Sequence, residues 1–264
     1  MNHRRWPLVA ILAFGYAFLY VPVLLLIVYS FNESRLVTVW SGFSTKWYGE
    51  LLHNRQLLDA AWLSVRIASV NATFAVILGT LAANALVRQG RFRGRTGFEL
   101  LLTAPLVMPD VIIGLSLLLL FVAMQQLIGW PNGRGFTTIA IAHITFSMAY
   151  VAVVVRARLA QMDRSLEEAA MDLGARPLTV YRSITLPLIA PALLSGWLLA
   201  FTLSLDDLVI ASFVSGPGST TLPMVIYASV RMGVSPQINA LATVIVALVT
   251  LAVIVAGIAM RERR

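Results

Sequence analysis

The sequence contains no cysteine, so neither a disulfide framework nor a thiolate metal site can form. Its one lysine, Lys46, follows Phe43-Ser-Thr without a glycine-rich turn, which excludes a phosphate-binding G-x-x-x-x-G-K-[ST] loop. No H-E-x-x-H or G-x-S-x-G is present, and His3, His53 and His143 are scattered, so no hydrolase or metallopeptidase signature exists. Charge is scarce as well: Asp, Glu, Lys and Arg make up 12% of the chain, against about a quarter in an ordinary soluble domain. No metal site, no cofactor and no enzymatic chemistry are expected in this chain.

What the chain has in excess is apolar residues, 59% of 264, with a mean hydropathy of +0.83. That is more than one water-facing core can absorb, and a bilayer is the solvent that accounts for it. Six apolar runs reach spanning length: Trp6–Phe31, Ala60–Val87, Leu100–Leu127, Phe136–Val155, Leu188–Val214 and Ile238–Met260. In hydrocarbon every backbone group must be satisfied within its own segment. The runs do not alternate as barrel strands do, so the predicted fold is an all-α integral membrane protein with six transmembrane helices. The basic start before Trp6 resembles a signal peptide, but the apolar run is too long for an h-region and lacks a small-residue cleavage site. It is read as a retained first span.

The formal charge of +8 is a topology signal rather than a nucleic-acid footprint. Arg4 and Arg5, then Arg88, Arg91, Arg93 and Arg95, then Arg156, Arg158, Arg164, Arg176 and Arg182, and finally Arg261, Arg263 and Arg264 all fall on one side of the six runs. The positive-inside rule puts that side, and both termini, in the cytoplasm. The expected organisation is a first helix and outer loop over 1–59, a five-helix core over 60–260 and a cytoplasmic tail over 261–264.

Two connections are long. The outer one, Asn32–Asp59, mixes charges with Trp40, Trp47 and Tyr48. The cytoplasmic one, Arg156–Pro187, has its own helical pattern. Ser165 and Glu168 have capping-box spacing, Gly174 suits a left-handed terminator, and Pro177 stops continuation. The predicted helix over 165–174 is too short to stand alone in water. A partner must hold it, and Ala169 and Ala170 would let that partner's surface approach closely.

Arg66, Asp110, Asp206 and Asp207 are ionisable residues inside the runs, each costly in hydrocarbon and expected to face the bundle interior or a wet cavity. Counting along the helices puts Arg66, Asp206 and Asp207 in the outer half and Asp110 near mid-depth, after Pro105 and Pro109. Arg66 is the candidate charge partner of one aspartate. Successive helix residues point about 100° apart, so the other aspartate is available to a cation. Tyr227 is a candidate aromatic face for that cation. Asn71 and His143 are expected to be interhelical hydrogen bonders.

The spacing Glu168-Ala169-Ala170, three residues, Gly174, nine residues, Ile184, one residue, Leu186-Pro187 resembles the EAA loop of permease subunits of ATP-binding-cassette importers. The segments Phe201–Pro223 and Val230–Thr243 resemble polyamine permeases, with the likeness closest to putrescine importers. The resemblance implies a type I permease fold in a bacterial inner membrane. It implies partners: a second permease, an ATPase dimer carrying ATP and Mg, and a periplasmic polyamine-binding protein. It also implies a coupling helix comprising Ser165, Glu168, Ala169, Ala170 and Gly174, and a pathway past Asp110, Asp206, Asp207 and Tyr227. The Gly216-Pro-Gly stretch and the run Leu222–Val230 would form the outer gate or the binding-protein contact. An importer permease for another solute and an ion-coupled secondary carrier are the rivals; no internal repeat favours the second.

Overall fold

A computed structural model describes residues 6–36, 39–90, 92–233 and 235–261, with the side chains of 6, 7, 232 and 252–261 left out. Arg4, Arg5, Arg91, Arg263 and Arg264 and the Arg261 side chain therefore lie outside the described residues, as does most of the expected tail. In chain order the helices are α1 (Trp6–Tyr29), α2 (Lys46–His53), α3 (Arg55–Arg88), α4 (Arg95–Thr103), α5 (Asp110–Ile128), α6 (Phe136–Gln161), α7 (Ser165–Asp172), α8 (Pro177–Val180), α9 (Leu186–Leu205), α10 (Val209–Val214), α11 (Leu222–Met232) and α12 (Pro236–Arg261). No strand occurs among the described residues; Asn32 and Phe43 make one isolated antiparallel bridge.

Five helical stretches are long and apolar enough to cross a membrane: Leu8–Tyr29, Arg55–Arg88, Asp110–Ile128, Phe136–Gln161 and Pro177–Leu205. They match five of the expected runs, with two differences. The third run is not one kinked helix. Pro105 and Pro109 lack the N–H that an α-helix needs, and the chain passes from α4 through a 3₁₀ turn at Ala104–Leu106 before α5 starts at Asp110. The fifth run ends at Leu205 and restarts at Val209.

The chain divides into two compact units, Met1–Asp59 with Val225–Arg264, and Ala60–Met224. In the first, Asn32 organises the loop that follows α1. Its Nδ2 donates to the carbonyls of Val39 (2.7 Å) and Leu36 (3.3 Å), and its Oδ1 accepts from the N–H of Ser41 and Ser34. Trp47 Nε1 donates to the Asn32 carbonyl at 2.6 Å. The amide is fully buried, and those bonds offset its desolvation. α2 meets α12 through Asn54, Gln237 and Glu50.

The second unit is built on a stripe of small residues. Ala68, Ala72, Ala75, Gly79 and Ala83 repeat at helical spacing along α3, and the alanines are fully buried. Without a hydrophobic force between spans, such a face brings backbones close and gains dispersion contacts. A Cβ on Gly79 would lie 2.9 Å from the Met148 carbonyl and from Val151. Val151, Val155, Ile189 and Ala200 complete this seam between α3, α6 and α9. A second cluster, Ile67, Ile113, Phe121, Ile139 and Ile210, joins α3, α5, α6 and α10.

Candidate functional site

The break in the fifth span separates two adjacent aspartates. Asp207 is inward. Its Oδ1 accepts from the Ile210 N–H at 3.2 Å and its Oδ2 from the Ala211 N–H at 2.7 Å, so the carboxylate covers the first free amides of α10 as an N-cap residue does. His143 on α6 adds a third contact, with Nε2 3.0 Å from Asp207 Oδ2 and Nδ1 2.7 Å from Ser204 Oγ. A neutral imidazole protonated on Nε2 satisfies both: it donates to Asp207 and accepts from Ser204. Asp206 is outward. It follows the last residue of α9, and its side chain is exposed. Helix C-termini carry unpaired carbonyls and partial negative charge, so Asp206 and the end of α9 together attract a cation.

Arg66 does not pair with either aspartate. Its guanidinium stands 5.1 Å from the Phe136 ring centroid, and His143 is the base beside Asp207. The reason is that a neutral His with two backbone amides already satisfies the inner carboxylate, leaving Arg66 to a cation–π contact. Asp110 is the first residue of α5 and exposed, because the proline-broken segment before it is not part of that helix. Tyr227 lies on α11 in the other unit, exposed, with Arg231 5.8 Å from its ring centroid. Asn71 is fully buried; its Nδ2 donates to Ser147 Oγ (3.1 Å) and to the Ala200 carbonyl (2.7 Å), tying α3 to α6 and α9.

The long connection before the fifth span forms α7 over Ser165–Asp172. The expected capping box is absent. Ser165 is already helical, and its N–H donates instead to Asp163 Oδ1 at 2.9 Å; that backbone bond and the Ser165 side chain lower the Asp163 pKa. The end is as expected. Gly174 has φ +87°, its N–H reaches the Met171 carbonyl, and the Ala175 N–H reaches the Ala170 carbonyl, the paired bonds of a Schellman motif. Sequence reasoning missed Glu167. Its Oε1 accepts from Arg88 Nη2 at 3.1 Å and from Thr185 Oγ1 at 2.7 Å. The capping-box spacing and the EAA spacing that draw attention to this loop both select Glu168. Glu168 lines a cavity of about 520 Å³ with Arg88, Arg164, Met171 and Tyr181. Among the described residues no group of three or more His, Asp or Glu side chains could hold a metal.

Long apolar helices, with buried polar side chains tying one to another, define a polytopic membrane protein whose fifth span is interrupted at two adjacent aspartates. Residues 75–261 match the model of the binding-protein-dependent transport system inner membrane component, and the chain belongs to that family. It is 66% identical over 240 residues to the putrescine transport system permease protein PotI of Escherichia coli K12, covering 91% of this chain and 85% of that one. It is 44% identical over 248 residues to the spermidine/putrescine transport system permease protein PotC of the same strain, covering 94% and 91%. The fold is similar to that in a crystal structure of a bacterial ABC transporter involved in import of the acidic polysaccharide alginate (TM-score 0.72, 18% identity, 98% of this chain and 96% of that one). It is also similar to an inward-facing methionine transporter (TM-score 0.61, 16% identity, 77% and 94%). The chain is therefore a multi-pass inner-membrane transport component and not an enzyme.

Proposed function

We propose that this chain is one of two permease subunits of an ATP-driven polyamine importer, with putrescine as its substrate. Its similarity to two permeases named for putrescine or for spermidine and putrescine supports the substrate class. The observation that carries the reading is the unlike treatment of Asp206 and Asp207. One carboxylate is consumed by α10 and His143, and the other is exposed at the negative end of a broken helix. Interrupted helices whose C-terminal ends meet a cation are a recurring transporter device, and an ammonium leaving water needs such a carboxylate.

In this reading Asp206 is the substrate carboxylate and Asp207 a positioning residue. Arg231 occupies the Tyr227 ring, and the ring serves the substrate only once Arg231 leaves it. Asp110 offsets the positive N-terminus of α5 and has no part in the pathway. α12, 26 residues long, is the sixth span, and both termini are cytoplasmic. The chain consists of a first helix with its outer loop (1–59), a five-helix core (60–260) and a short tail. A periplasmic binding protein delivers the polyamine, and an ATPase dimer carrying ATP and Mg binds the α7 segment Ser165–Gly174, with Glu168, Ala169 and Ala170 on the docking side. Closure of that dimer opens the pathway outward, and reset releases the cation inward.

The test is labelled putrescine uptake by cells that lack other polyamine importers and express the full set of subunits. Asp206→Asn is expected to cut uptake roughly tenfold to a hundredfold, since a charge-assisted contact contributes about 1.5–3 kcal/mol. Unchanged uptake in that variant would sink the assignment. The absence of native cysteine makes single-cysteine labelling from either side a direct check of the six-span topology.

A further inference from the structure

The coupling helix and the broken span are attached to opposite ends of one structural rod. α9 carries a single buried stripe: Thr185 at its N-cap, then Ile189, Gly196, Ala200 and Ser204 at steps of four or seven residues on one face. Each member holds a defined partner. Ala200 accepts from Asn71, Gly196 packs on Val151, and Ser204 donates to His143, which holds Asp207 at the break. From Thr185 to Ser204 the helix is about 29 Å long at 1.5 Å per residue. The Tyr181–Thr185 segment before it is a π-helix, with the Leu186 N–H reaching the Tyr181 carbonyl. An extra residue in a helical turn re-aims the side chains around it, and such turns recur at functional sites.

Thr185, only 2% exposed, is aimed at Glu167 of α7. A single oxygen, Glu167 Oε1, joins three elements: its own helix, the end of α3 through Arg88, and the root of α9 through Thr185. The Arg88 and Glu167 side chains are both about 15% exposed, so this is a shielded pair rather than a solvated one, and removing one charge leaves the other uncompensated. Arg164 adds a bond to the Val87 carbonyl at 2.6 Å, which holds the start of the loop to the same end of α3.

We propose that Glu167, acting on Thr185, is the residue that transmits movement of α7 to the fifth span and so to the Asp206 site. It is a positioning residue and touches neither nucleotide nor substrate. This rests on the transport reading above. The motion runs from α7 through Glu167 Oε1 to Thr185, along the rigid stripe packed on α3 and α6, and ends at Ser204, His143 and the unwound turn at Asp206–Leu208. None of the α7 residues is buried, so the Glu167 contacts, together with the Arg164 bond at its N-cap, tie it to the membrane helices.

The experiment uses the whole transporter, purified with its partner subunits and reconstituted with the binding protein. Thr202→Cys, one turn before Asp206 and exposed on the same face of α9, supplies the only thiol of this chain. Nucleotide trapping is expected to change its reactivity with a water-soluble maleimide in the otherwise wild-type chain. Glu167→Gln and Thr185→Val are expected to keep assembly and ATP hydrolysis but to abolish that change, and to lower putrescine uptake per ATP by about tenfold, a typical coupling strength. Thr185→Ser, which keeps the hydroxyl, is expected to restore both. A nucleotide-dependent change that persists in Thr185→Val, or one that Thr185→Ser fails to restore, overturns the proposal. If the unmutated complex shows the reactivity change but no putrescine uptake, the substrate reading fails while the link from Glu167 to Thr185 is still scored.

Discussion

The fifth span is interrupted at both of its ends, and the two interruptions treat the backbone differently. At the root, the π segment Tyr181–Thr185 keeps the chain helical. Its cost is small, and its effect is rotational: it decides which residues of α9 meet α3, α6 and α7. At the far end the helix stops at Leu205, and three residues pass before Val209 begins α10. That break exposes carbonyls and separates two neighbouring carboxylates by environment. Between the interruptions α9 is uncharged and packed on small residues. A span with a re-aimed root, a rigid middle and an opened end can carry a displacement, whereas an uninterrupted apolar helix has nothing to grip at either end.

A ranked set of substitutions sharpens that contrast. The largest effect is expected at the break. Asp207→Ala frees two α10 amides and the His143 Nε2 proton donor, and should destabilise the purified complex by about 3 kcal/mol, since each buried donor left unpaired costs about 1–3 kcal/mol. His143→Ala, which leaves the backbone amides on Asp207, should cost less; equal losses in thermal unfolding of the two variants would contradict the capping role. Next comes the α3–α6 seam on which the rigid middle packs. Gly79→Ala drives a methyl to within 2.9 Å of the Met148 carbonyl and Val151 and is expected to cost about 2 kcal/mol by overpacking. Gly97→Ala on α4, where an added methyl meets open space, is the control and should show no loss in the same melting assay.

A smaller change is expected at the end of α7. Gly174 has φ +87° with nothing near its missing side chain, so Gly174→Ala tests backbone conformation alone, at about 1–2 kcal/mol. Hydrogen exchange of the Ala169–Leu173 amides should quicken, with the α9 amides unaffected. The smallest effect belongs to Asp163, whose folded pKa is lowered by the Ser165 N–H and hydroxyl. A lowered carboxyl contributes above its unfolded value of about 3.9 and loses that contribution as pH falls through the folded value. Protection at the start of α7 should therefore weaken only below about pH 4, and Asp163→Asn should remove the pH dependence. A slope near neutral pH would exclude Asp163 as its source.

The two apolar segments that open α3 and α6 were readable to within a few residues, because a helix in hydrocarbon must be continuous and apolar over a known length. The terminator Gly174 was readable for a similar reason: few residues adopt a left-handed backbone. Arg66 and Ser165 were misread. Depth counting pairs an arginine with acids at the same level, and helical spacing pairs a serine with a glutamate three residues on, but other partners compete, one brought by tertiary structure and one by the local chain. His143, 64 residues from Asp207, and Asp163, two residues before Ser165, took those places.

Composition and spacing by themselves determined that this is a helical membrane protein with a separate short helix, ended by Gly174, before its fifth span, because hydrophobic length and turn chemistry are local quantities. The fate of the adjacent aspartates and the grip of Glu167 on Thr185 were decided only by tertiary structure. Each depends on which groups compete for the same hydrogen bond once distant helices are packed together, and a linear sequence does not contain that competition.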